Sequence, residues 1–482
     1  MPTIKINDVE LSVNPGTLVL DACRQVGIDI PHYCYHPALT PVATCRMCLV
    51  DIKGQPKLAT SCTTTVPPAP KDNPDAVVME VFTDTPAVVD ARAGVMEFLL
   101  INHPLDCPIC DQAGECKLQD YSYRYGSGDS RMTEVKRRYR YEDLGAKILI
   151  DKNRCIHCTR CVRFTREISG GGELTVANRG SRLEVTTFTG KSLDQNPFAG
   201  NVVDLCPVGA LTSRDFRFKK RVWYLRSVPS ISRHSALGNP IWIDHEGNQI
   251  HRFRPRPMEG QETTHFISDA ERYAYVRYNR TGPASPATLK GAPATFDTIR
   301  EAFHAAGPVA VIGQGTFGCD AAQRLGELAT SGDLRYGSGD KAVAVALPKY
   351  QTSTDGILNR RGFTERGFRF SALGELLGQV RAGAVKAVVL LHDDAFTSAT
   401  ETELLGQILK ASPFSLTLEV EPSDLGRSAT AWLPITSFTE ESDFIVNHDG
   451  ELRRYQKALQ APKGVMTVPA LAKELAAVPA AV

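Results

Sequence analysis

The chain reads as small α+β domains built around cysteines, followed by a parallel α/β domain. Three observations predict this. Twelve of the 13 cysteines fall within the first 206 of 482 residues, and in a reducing compartment clustered cysteines are metal ligands rather than disulfides. At the N-terminus two short segments of alternating polarity, "TIKIN" and "VELSV", are joined by the turn-like "DVE" and lead into a helical stretch, "TLVLDACRQVG", ending at Gly27. Far downstream, the strand-like runs "PVAVIG", "KAVAVAL", "AVKAVVLL" and "FSLTLEV" alternate with helical segments, the pattern of a parallel sheet with crossover helices.

Four stretches follow from this. Residues 1–80 form the hairpin-and-helix unit, closed by "TTTVPPAPKDNPD" (Thr63 to Asp75), whose prolines and polar residues place it at the surface. In residues 81–144, "AVVDARAGVMEFLLINH" (Ala87 to His103) carries apolar residues at helical spacing and delivers the chain into "HPLDCPICDQAGEC". A second compact cysteine unit, 145–215, opens with the strand "AKILID" and closes with "DLCPVGAL". The remainder, 216–482, starts β-rich to about residue 278 with a hairpin turn at "DHEGNQ". Then "RTGPASPATLKGAPATFD" (Arg280 to Asp297), with the composition of a linker, precedes the α/β domain.

Composition narrows the function. With 55 Lys plus Arg against 54 Asp plus Glu, no charge excess points to nucleic acid or to a membrane surface. The cluster "KRRYR" (Lys136 to Arg140) is expected to be a solvated face or a contact for an acidic partner. The N-terminus has no basic segment followed by an apolar run, which predicts a cytosolic chain. No apolar stretch approaches the roughly 20 residues that span a bilayer, so membrane contact would come only through partner subunits.

The cysteines sort into sets. Cys34, Cys45, Cys48 and Cys62 are spaced C-x10-C-x2-C-x13-C. A [2Fe–2S] cluster takes four thiolates, and plant-type ferredoxins draw them from one long loop plus a distant cysteine, which makes this a ferredoxin-like pattern. Structural zinc sites come as two C-x-x-C pairs, and this set has one. Cys155, Cys158 and Cys161, in "CIHCTRC", can hold three corners of a [4Fe–4S] cubane, with Cys206 of "CPVGA" as the fourth. Cys107, Cys110 and Cys116 then lack a fourth thiolate. Cys23 sits inside the first helix as a small buried thiol would, and Cys319 lies in the distant α/β domain. His103 is the candidate fourth ligand, since imidazole can replace thiolate on a cluster iron; the alternative is a surface or satisfied core histidine.

These motifs carry a resemblance. "CRMCLV", "HPLDCPICDQAGECKLQD", "RCIHCTRCVRF" and "GNVVDLCPVGAL" resemble the large iron–sulfur subunit of respiratory NADH:quinone oxidoreductase, complex I, over residues 1 to about 278. The resemblance implies one [2Fe–2S] cluster on the first four cysteines and two [4Fe–4S] clusters. One of these falls on His103, Cys107, Cys110 and Cys116, the other on Cys155, Cys158, Cys161 and Cys206. It implies an electron relay with no catalytic acid, base or nucleophile. Its partners would be a flavin- and NADH-binding subunit and other iron–sulfur subunits of a complex at the cytoplasmic side of a membrane, passing electrons toward quinone. Arg46, Arg154, Arg160 and Arg163 would offset cluster charge. "ATAWLPITSFTEESDFIVNHDGELRRYQKAL" (Ala429 to Leu459) resembles a molybdopterin-oxidoreductase domain, but the fewer than 210 residues after the linker start are too few to enclose that cofactor, so none is expected. A further four-cysteine cluster of some relatives is not expected, because "SISRHSALGNPI" has no cysteine there.

Other functions compete. An iron-only hydrogenase would need more cysteines beyond Cys206 than Cys319 alone. A molybdenum or tungsten enzyme is opposed by the short C-terminal domain. A dinucleotide site at "VIGQGTFG" (Gly313, Gly315, Gly318) would need an acid closing the second strand, where Pro348 and Lys349 stand, so a tight strand-to-helix turn is expected instead. A relay subunit of a soluble NAD-linked hydrogenase, formate dehydrogenase or bifurcating enzyme uses the same wires and differs only in partners.

Overall fold

The structure, a computed structural model, describes residues 1–73, 76–139, 142–187, 192–280, 282–339 and 357–477. The chain divides into two compact units between Tyr224 and Leu225.

In the first unit, β1 (Thr3–Ile6) and β2 (Val9–Ser12) form the expected hairpin, with Asn7 in the left-handed region of its tight turn. Ile4 and Ile6 are buried while Thr3 and Lys5 are half-exposed, the period of two that points one face at a core. Helix α1 (Val19–Gln25) buries Val19, Leu20, Ala22 and Cys23. It stops where Gly27, at φ 78°, takes a conformation that other side chains resist. Strands β3 (Leu49–Ile52), β4 (Ala59–Thr60) and β5 (Val77–Phe82) complete a sheet ordered β2-β1-β5-β3-β4, in which only β1 and β5 run parallel.

Helix α2 (Pro86–Ile101) begins with Pro86 at its first turn and the Thr85 hydroxyl accepting from Val88 N. Lys136 donates to the carbonyls of Leu100 and Ile101, both at 2.9 Å, and the Asn102 side chain accepts from Arg137 N. Part of the basic cluster is therefore spent on closing a helix rather than on a solvated face, because the last carbonyls of a helix have no partner within it. Helix α3 (Lys117–Tyr125) follows, then β6 (Glu142–Asp143) and β7 (Ile148–Ile150). Helix α4 (Arg160–Arg163) continues into a π-turn through Ile168. The hairpin β8 (Leu174–Ala177) and β9 (Glu184–Thr187), helix α5 (Asn201–Leu205) and β10 (Leu211–Ser213) close the unit, with β10 antiparallel to β7.

The second unit opens with the meander β11 (Arg226–Ile231), β12 (Pro240–Glu246) and β13 (Gln249–Pro255), turning at Gly247 and Asn248 as expected. The β-rich stretch ends there, short of residue 278. Helix α6 (Asp269–Tyr273) forms instead, because Ser268 and Glu271 make a reciprocal capping box. The linker-like segment is partly structured too. β14 (Thr288–Leu289) and β15 (Ala292–Pro293) turn on Lys290 and Gly291, both left-handed as a two-residue hairpin requires, and β14 pairs with the large sheet.

That sheet is the expected α/β core. After α7 (Phe296–Ala305) come β16 (Val309–Gln314), α8 (Cys319–Gly326), β17 (Arg335–Ser338), α9 (Arg360–Thr364), α10 (Leu373–Arg381), β18 (Ala387–Leu391), α11 (Ala399–Ala411), β19 (Phe414–Glu419), α12 (Asp424–Ser428) and β20 (Ala431–Pro434). The order is β15-β14-β20-β19-β18-β16-β17, and β20 through β17 run parallel. The expected strand "KAVAVAL", with Pro348 and Lys349, lies outside the described residues. Along β16 and β18, Val311, Val389 and Leu391 feed one hydrophobic layer, and Ile312, Val388 and Leu390 feed the other. Burial on both faces is why these runs are apolar throughout instead of alternating. A last hairpin, β21 (Asp443–Val446) and β22 (Leu452–Tyr455), and helix α13 (Val468–Ala476) finish the unit.

One buried histidine links the first unit's stability to pH. His32 is 4% exposed. Its Nδ1 lies 2.7 Å from Ile30 O, and its Nε2 lies 3.3 Å from the guanidinium of Arg24, a donor that Nε2 can only accept from. Burial first, then nearby cations led by Lys117, lower its pKa to about 4. Between about pH 6.5 and 4 the unfolded chain binds the proton and the fold does not. The stability held by neutral His32 is present above pH 6.5 and lost as pH falls toward 4, by up to about 3 kcal/mol. Denaturant unfolding of the wild type should weaken over that window, and His32→Gln should flatten the slope.

Candidate iron–sulfur sites

The first set comes together in the loop between α1 and β3, with Cys62 delivered by the turn after β4. All four thiols are buried. Ala43 and Arg46 are both left-handed, which wraps the loop inward around Cys45 and leaves the Arg46 side chain exposed to solvent. The backbone N–H groups of Tyr33 and Cys34 both reach Cys45 Sγ at 3.5 Å. The Cys45 and Cys62 thiols pull the Cys34 pKa down, while the Cys34 thiol pushes up those of Cys45 and Cys62. The Cys62 thiol draws Cys48 down to about 7. These interactions run from Cys45 through Cys34 and Cys62 to Cys48, so the four sulfurs face one another.

The second set lines one cavity of about 990 Å³, which His103, Cys107, Cys110 and Cys116 share with Arg154 and Gly209. His103 lies just past the end of α2, Cys107 opens a short helical turn, and Cys116 precedes α3. Cys107 is exposed, and Cys110 and Cys116 are buried. Burial, then the charges of Arg154 and Lys136, hold His103 at a pKa of about 4, so the imidazole is neutral and has a lone pair to offer. Two supports went unseen in the sequence. Arg221 donates to Cys110 O at 2.5 Å and also to Pro108 O, tying down the cysteine loop. Gly209 leaves no room for a side chain, since a Cβ there would stand 2.1 Å from Cys110 Sγ.

The third set gathers Cys155, Cys158, Cys161 and Cys206 around a close apolar pocket lined also by Ile150, Val185, Val208 and Leu211. His157 (φ 55°) and Thr159 (φ 61°) are left-handed without being glycine, strain that the "CIHCTRC" loop carries in turning its cysteines to one side. Burial raises Cys155 and Cys206 to about 12 and Cys116 of the second set to about 11. Backbone N–H groups oppose the rise, from His157 to Cys155 and from Val208, Leu211 and Ala210 to Cys206. Such thiols stay protonated unless a cation takes the proton's place, and metal coordination deprotonates a thiol outright.

Among the described residues no group of three or more His, Cys, Asp or Glu side chains has the geometry that holds a single metal ion. Soft thiolate donors ringed by N–H groups suit iron–sulfur clusters, which spread four ligands over several irons, two per iron in [2Fe–2S] and one per iron in [4Fe–4S]. Outside the sets, Cys23 is buried in α1 and lifted to about 12 by burial. Cys319 is buried at the start of α8, its sulfur 3.6 Å from the Asn359 side chain.

The glycine motif of the second unit proves to be packing. None of the three glycines has positive φ. A Cβ at Gly313 would meet Phe363 at 2.4 Å, one at Gly315 would meet Ile357 at 2.4 Å, and one at Gly318 would meet the Asp443 carboxylate at 2.0 Å. That carboxylate accepts from Asp320 N (3.0 Å) and Ala321 N (3.2 Å) at the start of α8. The N–H groups a pyrophosphate would use are already taken.

Known proteins bear on the first unit. Residues 1–69 match the 2Fe-2S iron-sulfur cluster binding domain, residues 92–131 the NADH-ubiquinone oxidoreductase-G iron-sulfur binding region, and residues 145–212 the ferredoxin-like domain of NADH-quinone oxidoreductase subunit 3. The NADH-quinone oxidoreductase-G protein of Rickettsia felis is 44% identical over 282 residues, 58% of this chain and 40% of that one. This part of the chain is homologous to the NADH-quinone oxidoreductase-G proteins. The NADH-ubiquinone oxidoreductase 75 kDa subunit of Reclinomonas americana is 42% identical over 304 residues, 63% of this chain and 42% of its own. The mitochondrial iron-sulfur protein 1 of NADH dehydrogenase [ubiquinone] from Solanum tuberosum is 42% identical over 294 residues, 61% and 38%. The chain thus spans about two fifths of the length of these relatives. A solved NAD+-reducing [NiFe]-hydrogenase in the H2-reduced state aligns with 46% of this chain and 91% of its own, at 25% identity and TM-score 0.40. No described helix is long and apolar enough to cross a membrane.

Two substitutions test these placements. Gly209→Ala should displace Cys110 and cost roughly 1–3 kcal/mol in denaturant unfolding, as overpacking does. Asp443→Ala should cost about 1 kcal/mol through loss of the α8 cap, and nucleotide should not restore it in a thermal melt.

Proposed function

We propose that this chain is an electron-relay subunit of an NADH:quinone oxidoreductase. It would hold a [2Fe–2S] cluster on Cys34, Cys45, Cys48 and Cys62, a [4Fe–4S] cluster on His103, Cys107, Cys110 and Cys116, and a second on Cys155, Cys158, Cys161 and Cys206. The observation that carries this reading is the continuity of the three donor sets within one compact unit. Arg163 donates to the carbonyls of both Cys34 (first set) and Cys158 (third set). The segment after Cys206 (third set) reaches Gly209, against Cys110 (second set), and Pro207 O accepts from Lys117 N, next to Cys116. These contacts link the third set's segments to those of each of the other two.

Bound clusters supply one-electron carriers, and the residues here position and tune them. Backbone N–H groups on the sulfurs and cations beside them favour the reduced state. A neutral His103 in place of a thiolate removes one negative charge and raises the potential of the second set. The N–H groups and His103 need not exchange protons for electrons to pass. Electrons would arrive from a flavin-bearing partner and leave for another iron–sulfur subunit and quinone, in a peripheral position reached through partner subunits. The respiratory parent is preferred over a soluble NAD-linked one because the relatives are named for quinone and ubiquinone oxidoreductases. The second unit, its segment 429–459 included, is proposed as a molybdopterin-oxidoreductase-like domain.

Anaerobically purified chain should contain about ten irons and give one [2Fe–2S] and two [4Fe–4S] EPR signals on reduction. His103→Ala should lose or alter the signal of its own set alone. Zinc in place of iron, or a single cubane, would sink the reading.

A further inference from the structure

Two guanidinium groups lie between the first and third sets with no acid to balance them. Arg160 is 6% and Arg163 is 7% exposed. Arg163 donates to Thr40 O at 2.6 Å, to Cys34 O, and to Cys158 O at 3.4 Å. Arg160 donates to Leu205 O at 3.2 Å and to Tyr35 O. Every acceptor is a backbone carbonyl, and two of those carbonyls belong to ligand cysteines of different sets. Neither arginine has a salt-bridge partner among the described residues, and the Nε of each is buried with no hydrogen-bond partner there. Arg154 is equally buried but differs, because Asp106 and Asp151 each pair with it at 3.0 Å. Two like charges out of water and side by side are costly unless anions face them. Carbonyl dipoles solvate such charges without cancelling them. Among the ionisable neighbours of Arg160 are the thiols of Cys158, Cys206 and Cys34, drawn from both sets, which become anionic when they ligate metal.

We propose that Arg160 and Arg163 form a shared cationic bridge that raises the reduction potentials of the first and third clusters together and carries the hydrogen-bonded path between them. The proposal rests on the cluster assignment above. A positive charge between two carriers stabilises the added electron on either side, so its removal lowers both potentials. The second set, which these two guanidiniums do not bond, is left alone. Sequence alone suggests that all four arginines beside ligands offset cluster charge. The geometry separates them into one exposed residue (Arg46), one already neutralised (Arg154) and a pair held in common.

The test is an EPR-monitored redox titration of the full-length, cluster-loaded chain and its Arg163→Gln, Arg160→Gln, Arg163→Lys and Arg154→Gln variants. In each of Arg163→Gln and Arg160→Gln, the midpoints of the [2Fe–2S] signal and of the all-cysteine [4Fe–4S] signal should fall together while the His103-associated signal stays put. Arg163→Lys should recover most of the shift, because it keeps the charge. Arg154→Gln should leave the first set unmoved. Unchanged midpoints, or movement of one signal only, would overturn the bridge. Should one glutamine variant not assemble, the other decides by the same pair of midpoints. Absence of the three signals from the wild type would instead refute the cluster assignment itself.

Discussion

Thiolate is a poor thing to bury, and the first unit is organised around burying it. A free thiol moved into an apolar interior holds its proton, as the upward pressure on Cys155, Cys206 and Cys116 shows. To make such groups ligands, the fold must bring donors, cations and a metal to the same place. The local features of the unit answer that need. Left-handed His157 and Thr159 turn their loop, N–H groups converge on the sulfurs, and buried arginines sit where negative charge will be.

The same need shapes the elements that carry no ligand. Helix α2 ends where Lys136 and Asn102 secure it, and that end sets the position of His103. Arg221 and Gly209 approach the second set from well beyond it in sequence, one binding its loop and the other making room for Cys110. Tyr33, beside Cys34, packs edge-on to Tyr121 of α3 at 5.2 Å, so the first set's loop and the helix after Cys116 are also in contact. These contacts tie the segments that carry the donor sets to one another.

The second unit follows a different logic. Its parallel sheet is buried on both faces, and several of its buried polar groups pair with one another. His392 lies 2.8 Å from Glu419, which also accepts from Trp432 Nε1 and Ser423, and Gln314 bridges to Asp393 and Thr397. With Asp443 on the N-terminus of α8, the turn that resembles a nucleotide loop is filled by protein.

Much of this was legible in one dimension. Cysteine spacing is local, so "CIHCTRC" and "CRMC" announce their chemistry without a fold. Alternation in "TIKIN" and unbroken apolar runs such as "AVVLL" report one-faced and two-faced burial, which fixes strand type before any strand is paired. The linker-like segment misled because composition cannot show that Lys290 and Gly291 turn a strand onto a sheet edge. Glycine spacing at Gly313, Gly315 and Gly318 could not by itself say which demand the glycines meet, since close packing against Phe363 and Ile357 asks for the same residue as close approach to a phosphate, and it was the missing acid that pointed to a turn. What only the tertiary structure decided are relations across long separations: Arg163 on the carbonyls of Cys34 and Cys158, Gly209 under Cys110, Asp443 over α8. By itself the sequence named the atoms proposed to bind iron. Their order in space, and the charges they share, depend on contacts between residues far apart in the chain, and no local pattern encodes those.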